Sequence, residues 1–174
     1  DQPALLNAGE LCDSLALTDD VMIKVAKLFW QQEKHKLLLL TKSANVDGIV
    51  RVYGNVHSGH SRTSGQVIVS FSLNPLNVSS RFEHDCPSIF ERLDAAKKCK
   101  EAGLPVRIRI DPIIVPYDLA FEQVERSYGD LAAAVNALEP ERVTLGSLRV
   151  FPIVFTEARK AGRNMEVFNG LNEI

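Results

Sequence analysis

Hydrophobic residues gather into five short runs along this chain, at 3–8, 36–42, 66–74, 106–115 and 143–150. Their starts lie about 30–40 residues apart, the span of a strand, a crossover helix and their loops. The second run, Leu37-Leu38-Leu39-Leu40, is apolar without alternation, which predicts a parallel strand covered on both faces. In the third run Ser70, Ser72 and Asn74 fall on one face and Val67, Val69, Phe71 and Leu73 on the other. In the fourth, Arg107, Arg109 and Asp111 oppose Val106, Ile108 and Ile110. Side chains alternate across a strand, so one face of this sheet is polar.

The segments between the runs read as helices. Thr18-Asp19-Asp20 supplies an N-cap and an acidic first turn, with Val21, Val25, Leu28 and Phe29 expected to face the core. Ser88-Ile89-Phe90-Glu91 forms a capping box, and Gly103 and Pro105 close that helix. A third helix is expected over 119–138, broken near Gly129 and stopped by Pro140. A short last helix covers 156–160. This alternation predicts one α/β domain over residues 1–174, a parallel sheet with alternating helices and right-handed crossovers. Five strands are too few for a closed eight-stranded barrel. An open doubly wound sheet and an incomplete barrel both remain.

Composition narrows the class. The chain has 174 residues, 45% hydrophobic and 24% charged, close to the globular average, so disorder and coiled coil fit poorly. The net charge of −2 gives no global electrostatic case for nucleic acid. No apolar run approaches the roughly 18–20 residues of a membrane span, and no basic-then-apolar leader opens the chain. Three cysteines, Cys12, Cys86 and Cys99, are too few and too spread for a disulfide framework, so the expected setting is the cytoplasm. The chain opens at Asp1 without Met and is apolar by Ala4, and is expected to be a fragment of a longer protein.

In a parallel α/β fold the ligand site lies beyond the carboxyl ends of the strands. Those ends carry Gly9, Glu10 and Cys12, then Lys42, then Ser72 and Asn74, then Arg109 and Asp111. Lys42 either snorkels into water or supplies a fixed cation for a ligand carboxylate or phosphate. Arg107 and Arg109 would be costly if buried unpaired, so they face a wet interior or pair with acids such as Asp111 and Glu10. The stretch 53–65, with Arg51 beside it and Tyr53, His57, His60 and Arg62 within, is locally basic. It is expected to be a solvated loop that could touch a phosphate backbone. His57, His60, His84 and Cys86 have a loose resemblance to zinc ligands, but no metal site is expected from them. A glycine-rich phosphate loop and a nucleophile elbow are both lacking.

The runs Leu39-Leu40-Thr41-Lys42-Ser43-Ala44-Asn45-Val46-Asp47 and Ser70-Phe71-Ser72-Leu73-Asn74 resemble spore photoproduct lyase and its relatives. The likeness continues through Arg92-Leu93-Asp94-Ala95-Ala96, Ala102-Gly103-Leu104-Pro105-Val106, Ile110-Asp111-Pro112-Ile113-Ile114 and Leu145-Gly146-Ser147-Leu148-Arg149. These relatives are radical S-adenosylmethionine (AdoMet) enzymes, some of them DNA repair photolyases. The resemblance implies a partial (β/α)6 TIM-type barrel, here strands two to six, without the first strand and its CxxxCxxC loop. That loop holds the [4Fe-4S] cluster of the parent enzyme, and no such motif occurs in this sequence. The resemblance also implies AdoMet as cofactor and a nucleic-acid substrate for the parent. Gly9 and Glu10 match the place whose backbone meets the methionyl amino group. Lys42 matches a lysine reaching the methionyl carboxylate. Ser72 and Asn74 match polar groups near the ribose and methionine, and Arg109 joins them as a candidate cofactor contact. At the position of the spore enzyme's hydrogen-donor cysteine stands Glu10, so Cys12, two residues along, is the candidate catalytic thiol.

Two other functions compete with this reading. One is an aldolase-type barrel with Lys42 as a Schiff-base amine. The other is a cluster-less module of the same ancestry that engages nucleic acid through residues 53–65.

Overall fold

The computed structural model describes residues 2–8, 12–16, 19–57, 65–163 and 165–168. Five strands form one parallel sheet: β1 (Leu5–Asn7), β2 (Lys36–Thr41), β3 (Val67–Ser72), β4 (Val106–Ile113) and β5 (Arg142–Ser147). Their order in the sheet is their order in the chain. Without a reversal of strand order there is no topological switch point, so the doubly wound alternative falls away. The sheet curls into a half-barrel, with helices alternating along it. The helices are α1 (Asp19–Trp30), α2 (Asp47–His57), α3 (Leu76–Phe82), α4 (Ile89–Glu101), α5 (Phe121–Leu138) and α6 (Pro152–Lys160). A turn of 3-10 helix follows at Glu166–Phe168. No helix among the described residues is long and apolar enough to cross a membrane.

Strand register separates the two faces. Leu39 lies beside Val69, which lies beside Val106, and Thr41 beside Phe71, which lies beside Ile108. This face packs against the helices, and its apolar members form the core with Met22, Ala26, Trp30, Ile49, Tyr53, Ala96 and Leu131. The opposite, concave face carries the row Leu40, Ser70, Arg107, Arg142 and the row Ser72, Arg109, Thr144. The polar face expected from alternation is therefore the inside of the half-barrel. Two of its arginines are paired, Arg107 with Glu141 at 3.0 Å and Arg109 with Asp111 at 2.6 Å.

Local chemistry fixes the helix ends. Ser88 Oγ accepts from the Glu91 N–H, and the Glu91 carboxylate accepts from the Ser88 N–H at 2.7 Å, completing the capping box. Gly103 closes α4 at φ 87°, a conformation that glycine adopts without a Cβ penalty. Its carbonyl accepts from the Tyr53 hydroxyl at 2.9 Å.

Four expectations need correction. On α1, Val25 and Phe29 pack against the core as expected, but the most buried residues are Met22, Ala26 and Trp30, while Val21 and Leu28 are 48% and 64% exposed. The helix has two adjacent apolar stripes, and periodicity alone cannot choose between them. Helix α5 runs unbroken through Gly129, because packing of Val124, Leu131 and Val135 outweighs the roughly 1 kcal/mol penalty of glycine. Residues 53–57 are not loop but the end of α2, and Tyr53 is buried against Trp30 with ring centroids 5.5 Å apart. Helix α6 starts at Pro152, a turn earlier than 156, since proline suits a first helical position.

Candidate functional site

The turn after β1 is fastened to the end of β2 through one carboxylate. Asp13 Oδ1 accepts from the N–H groups of Leu15 and Ala16 and from the Thr41 hydroxyl at 2.7 Å. Asp13 Oδ2 accepts from the Lys42 N–H at 2.5 Å. The Ser14 N–H adds a bond to the Leu40 carbonyl at 3.1 Å. Four donors on one short side chain fix the turn that carries Cys12.

A second carboxylate organises the ends of β2 and β3 from below. Glu83 follows α3, and its side chain is only 3% exposed. Its Oε1 accepts from Lys42 Nζ at 2.8 Å and from Asn74 Nδ2 at 3.0 Å, and its Oε2 accepts from Arg92 at 2.6 Å. Burial alone would raise the Glu83 carboxyl. Hydrogen bonds from Lys42, Asn74 and Arg92 outweigh it and hold the group below its ordinary range. Arg92 also donates to the Ser72 carbonyl at 2.8 Å. The Tyr128 hydroxyl donates to Asn74 Oδ1 at 3.4 Å, so α5 touches the same network.

Between these supports lies a cavity of about 260 Å³, lined by Cys12, Asp13, Leu40, Thr41, Lys42, Ser72, Arg109 and Asp111. The β4–β5 register shifts between Ile110 and Ile113, where Pro112 has no N–H to donate. Asp111 there reaches the Arg109 guanidinium and sits against Gly146, where a Cβ would collide with its carboxylate. The cavity thus presents two cations, two carboxylates and two hydroxyls at the carboxyl ends of β2–β4. A larger groove of about 390 Å³ runs along α6, lined by Ile153, Val154, Glu157, Ala158, Ala161 and Arg163. It is mainly apolar and lies away from this concentration of polar groups.

Of the residues expected from sequence, Cys12, Lys42, Ser72 and Arg109 line the cavity. Asn74 does not; at 1% exposure it stands behind the wall and holds Glu83. Gly9, Glu10, His60 and Arg62 lie outside the described residues. Asp13, Thr41 and Asp111 were not singled out as ligand contacts, although Asp111 was read as a partner for Arg109. Glu83 carries no ligand signal in the sequence, because a carboxylate in a polar stretch reads as solvated. Arg92 gave a usable signal, because it falls in the stripe Ile89, Arg92, Ala95, Ala96, Cys99 that α4 buries.

The three cysteines do not fit an iron–sulfur cluster. Cys12 is exposed at the cavity, Cys86 is half-buried with its thiol donating to the Glu83 carbonyl, and Cys99 is buried in the core. Burial pushes the Cys99 thiol up to about 12. Among the described residues no three His, Cys, Asp or Glu side chains are grouped to hold a metal ion.

Solved structures share this fold. A double variant of spore photoproduct lyase with bound AdoMet and dinucleoside spore photoproduct matches with TM-score 0.68 and 22% identity, over 92% of this chain and 46% of the other. Spore photoproduct lyase complexed with dinucleoside spore photoproduct matches with TM-score 0.60 and 23% identity, over 81% of this chain and 39% of the other. The chain therefore spans less than half the length of these structures. Among curated proteins none matches. The family model of spore photoproduct lyase matches residues 12–160, from the turn at the cavity mouth to the end of α6, and the chain belongs to that family.

Proposed function

We propose that this chain is the AdoMet-binding half-barrel of a spore-photoproduct-lyase-type radical enzyme that acts on damaged DNA. The observation that carries the reading is the cavity, where Cys12, Lys42, Ser72 and Arg109 meet at the carboxyl ends of the strands. On this reading residues 1–174 make one domain, strands two to six of the family barrel, working in the cytoplasm.

The donor set fits AdoMet. Lys42 gives one N–H to Glu83 and keeps two, and its side chain is 40% exposed toward solvent and cavity. Those two N–H groups suit the methionyl carboxylate. Ser72 and Arg109 are register partners and provide a hydroxyl and a guanidinium for the nucleoside, with Asp111 as acceptor for its hydroxyls or amine. Gly9 and Glu10 precede the anchored turn and are proposed to meet the methionyl amino group through their backbone. Asn74 contributes by holding Glu83. Reductive cleavage of bound AdoMet supplies the radical chemistry of such enzymes. The residues of this chain bind it, orient it and exclude water. Cys12, at the cavity rim, is the thiol proposed to give a hydrogen atom on the substrate side. The [4Fe-4S] cluster would be held in the parent enzyme by a CxxxCxxC motif, which this sequence does not contain.

The competing readings lose support. A Schiff-base lysine is activated by an apolar pocket or a second cation, whereas Lys42 is bound to a carboxylate. The module reading used residues 53–65, of which Tyr53 is buried in the core and 53–57 belong to α2, while 58–64 lie outside the described residues. The test is a titration of the protein with AdoMet, then with dinucleoside spore photoproduct, followed by amide NMR. The expected shifts cluster at Cys12, Lys42, Ser72 and Arg109. Shifts confined to the α6 groove, or none at saturating AdoMet, would refute the proposal.

A further inference from the structure

Glu83 does not line the cavity, yet it binds Lys42, which does. One carboxylate oxygen takes both the Lys42 ammonium at 2.8 Å and the Asn74 amide at 3.0 Å. The other takes the guanidinium of Arg92, whose side chain is 1% exposed, at 2.6 Å. Arg92 in turn holds the Ser72 carbonyl, at the end of β3. A single side chain thus ties the ends of β2 and β3 to α4. Without it the four-carbon stem of Lys42 would be free to sample many rotamers.

We infer that Glu83 is the positioning residue of the cofactor site, presetting the Lys42 ammonium for a ligand carboxylate, with Arg92 holding Glu83 in place. The inference rests on the reading of Lys42 as the carboxylate contact. Two effects of Glu83 oppose each other. As a bare negative charge it would repel an anionic ligand, and as a positioning group it favours the same ligand. Arg92 at 2.6 Å largely cancels the charge, whereas among the described residues no other side chain holds the Lys42 ammonium. Positioning therefore wins, and the sign of the effect is diagnostic.

The experiment is calorimetric AdoMet affinity for wild type, Glu83→Gln, Lys42→Met and the double variant, with thermal unfolding of each. Glu83→Gln should weaken binding about three- to tenfold, the cost of immobilising one long side chain at binding. In the Lys42→Met background it should change nothing further. Glu83→Asp keeps the charge and retracts it by one methylene, so a charge role leaves affinity at the wild-type value and the positioning role lowers it. It also serves if Glu83→Gln does not fold. Equal or tighter binding by Glu83→Gln overturns the inference. So does an equal loss in both backgrounds, which marks a general structural defect. Unchanged affinity in Lys42→Met overturns the reading of Lys42 itself, and this inference with it.

Discussion

Replacing Arg92 with Met should be among the most damaging single changes in this half-barrel. Arg92 is fully buried on α4, and its guanidinium meets Glu83 at 2.6 Å and the Ser72 carbonyl at 2.8 Å. Met keeps an apolar stem of similar length, so little cavity is left and the loss is mostly electrostatic. Removing one partner of a buried pair costs about 3–5 kcal/mol because the other charge stays buried. The Lys42 and Asn74 bonds to Glu83 remain and place the expected value near 3 kcal/mol, a large share of the about 5–15 kcal/mol of a typical domain. Urea unfolding at neutral pH should show it as a midpoint lowered by about 1–3 M, with slopes of about 1–3 kcal/mol/M. Arg92→Lys, which reaches one acceptor but not both, should lose less. The effect also depends on pH. Glu83 titrates below its ordinary value of 4.5 in the folded protein, so its contribution is complete above that value and fades as pH falls through the lower folded value. The difference between wild type and Arg92→Met should shrink in acid, where a neutral Glu83 leaves Arg92 unpaired in wild type as well. A neutral-pH loss under about 1 kcal/mol, or one that grows in acid, would refute the reasoning.

Other outcomes follow from single contacts. Gly146→Ala places a Cβ on the Asp111 carboxylate and should cost about 1–3 kcal/mol by thermal unfolding; the penalty should vanish in an Asp111→Ala background, and persistence there would mean that the clash lies elsewhere. Thiol labelling at mildly alkaline pH should modify Cys12 first and Cys99 only on unfolding, since Cys99 is buried with its thiol pushed up to about 12; rapid native labelling of Cys99 would contradict the packing of α4. Ser88→Ala removes the capping box at the start of that helix and should cost about 1 kcal/mol in urea unfolding; no change would show that the exposed cap is replaced by water without loss.

The strands were legible because parallel-sheet strands write their burial directly as apolar runs, and β2 to β4 match those runs to within a few residues at most. Strand order was not. The same alternation of strand and helix serves a barrel and a doubly wound sheet, and only pairing distinguishes them. The polar inner face could be read from Arg107, Arg109 and Asp111 because period-two alternation survives in any sheet. Lys42, Ser72 and Arg109 followed from the rule that ligands sit beyond strand ends. Glu83 was hidden for a physical reason. Its importance comes from burial against Arg92 and Lys42, 9 and 41 residues away, and a carboxylate in a polar loop looks the same whether it is solvated or paired. The α1 face was half legible: Val25 and Phe29 pack against the core, but Val21 and Leu28 lie exposed, because two apolar stripes share that helix and the buried line follows where Trp30 and Tyr53 pack.

The central claim, that Lys42 reads a ligand carboxylate at the ends of β2 and β3, is tested most directly by a pair of ligands against a pair of proteins. AdoMet carries the methionyl carboxylate, and methylthioadenosine keeps the nucleoside without it. A charge-assisted hydrogen bond is worth about 1.5–3 kcal/mol, so Lys42→Met should bind AdoMet about ten- to more than a hundredfold more weakly by calorimetry. Methylthioadenosine should bind wild type and Lys42→Met alike, with folding preserved because Met retains the stem. An equal change for both ligands, or an unchanged AdoMet affinity, would contradict the assignment.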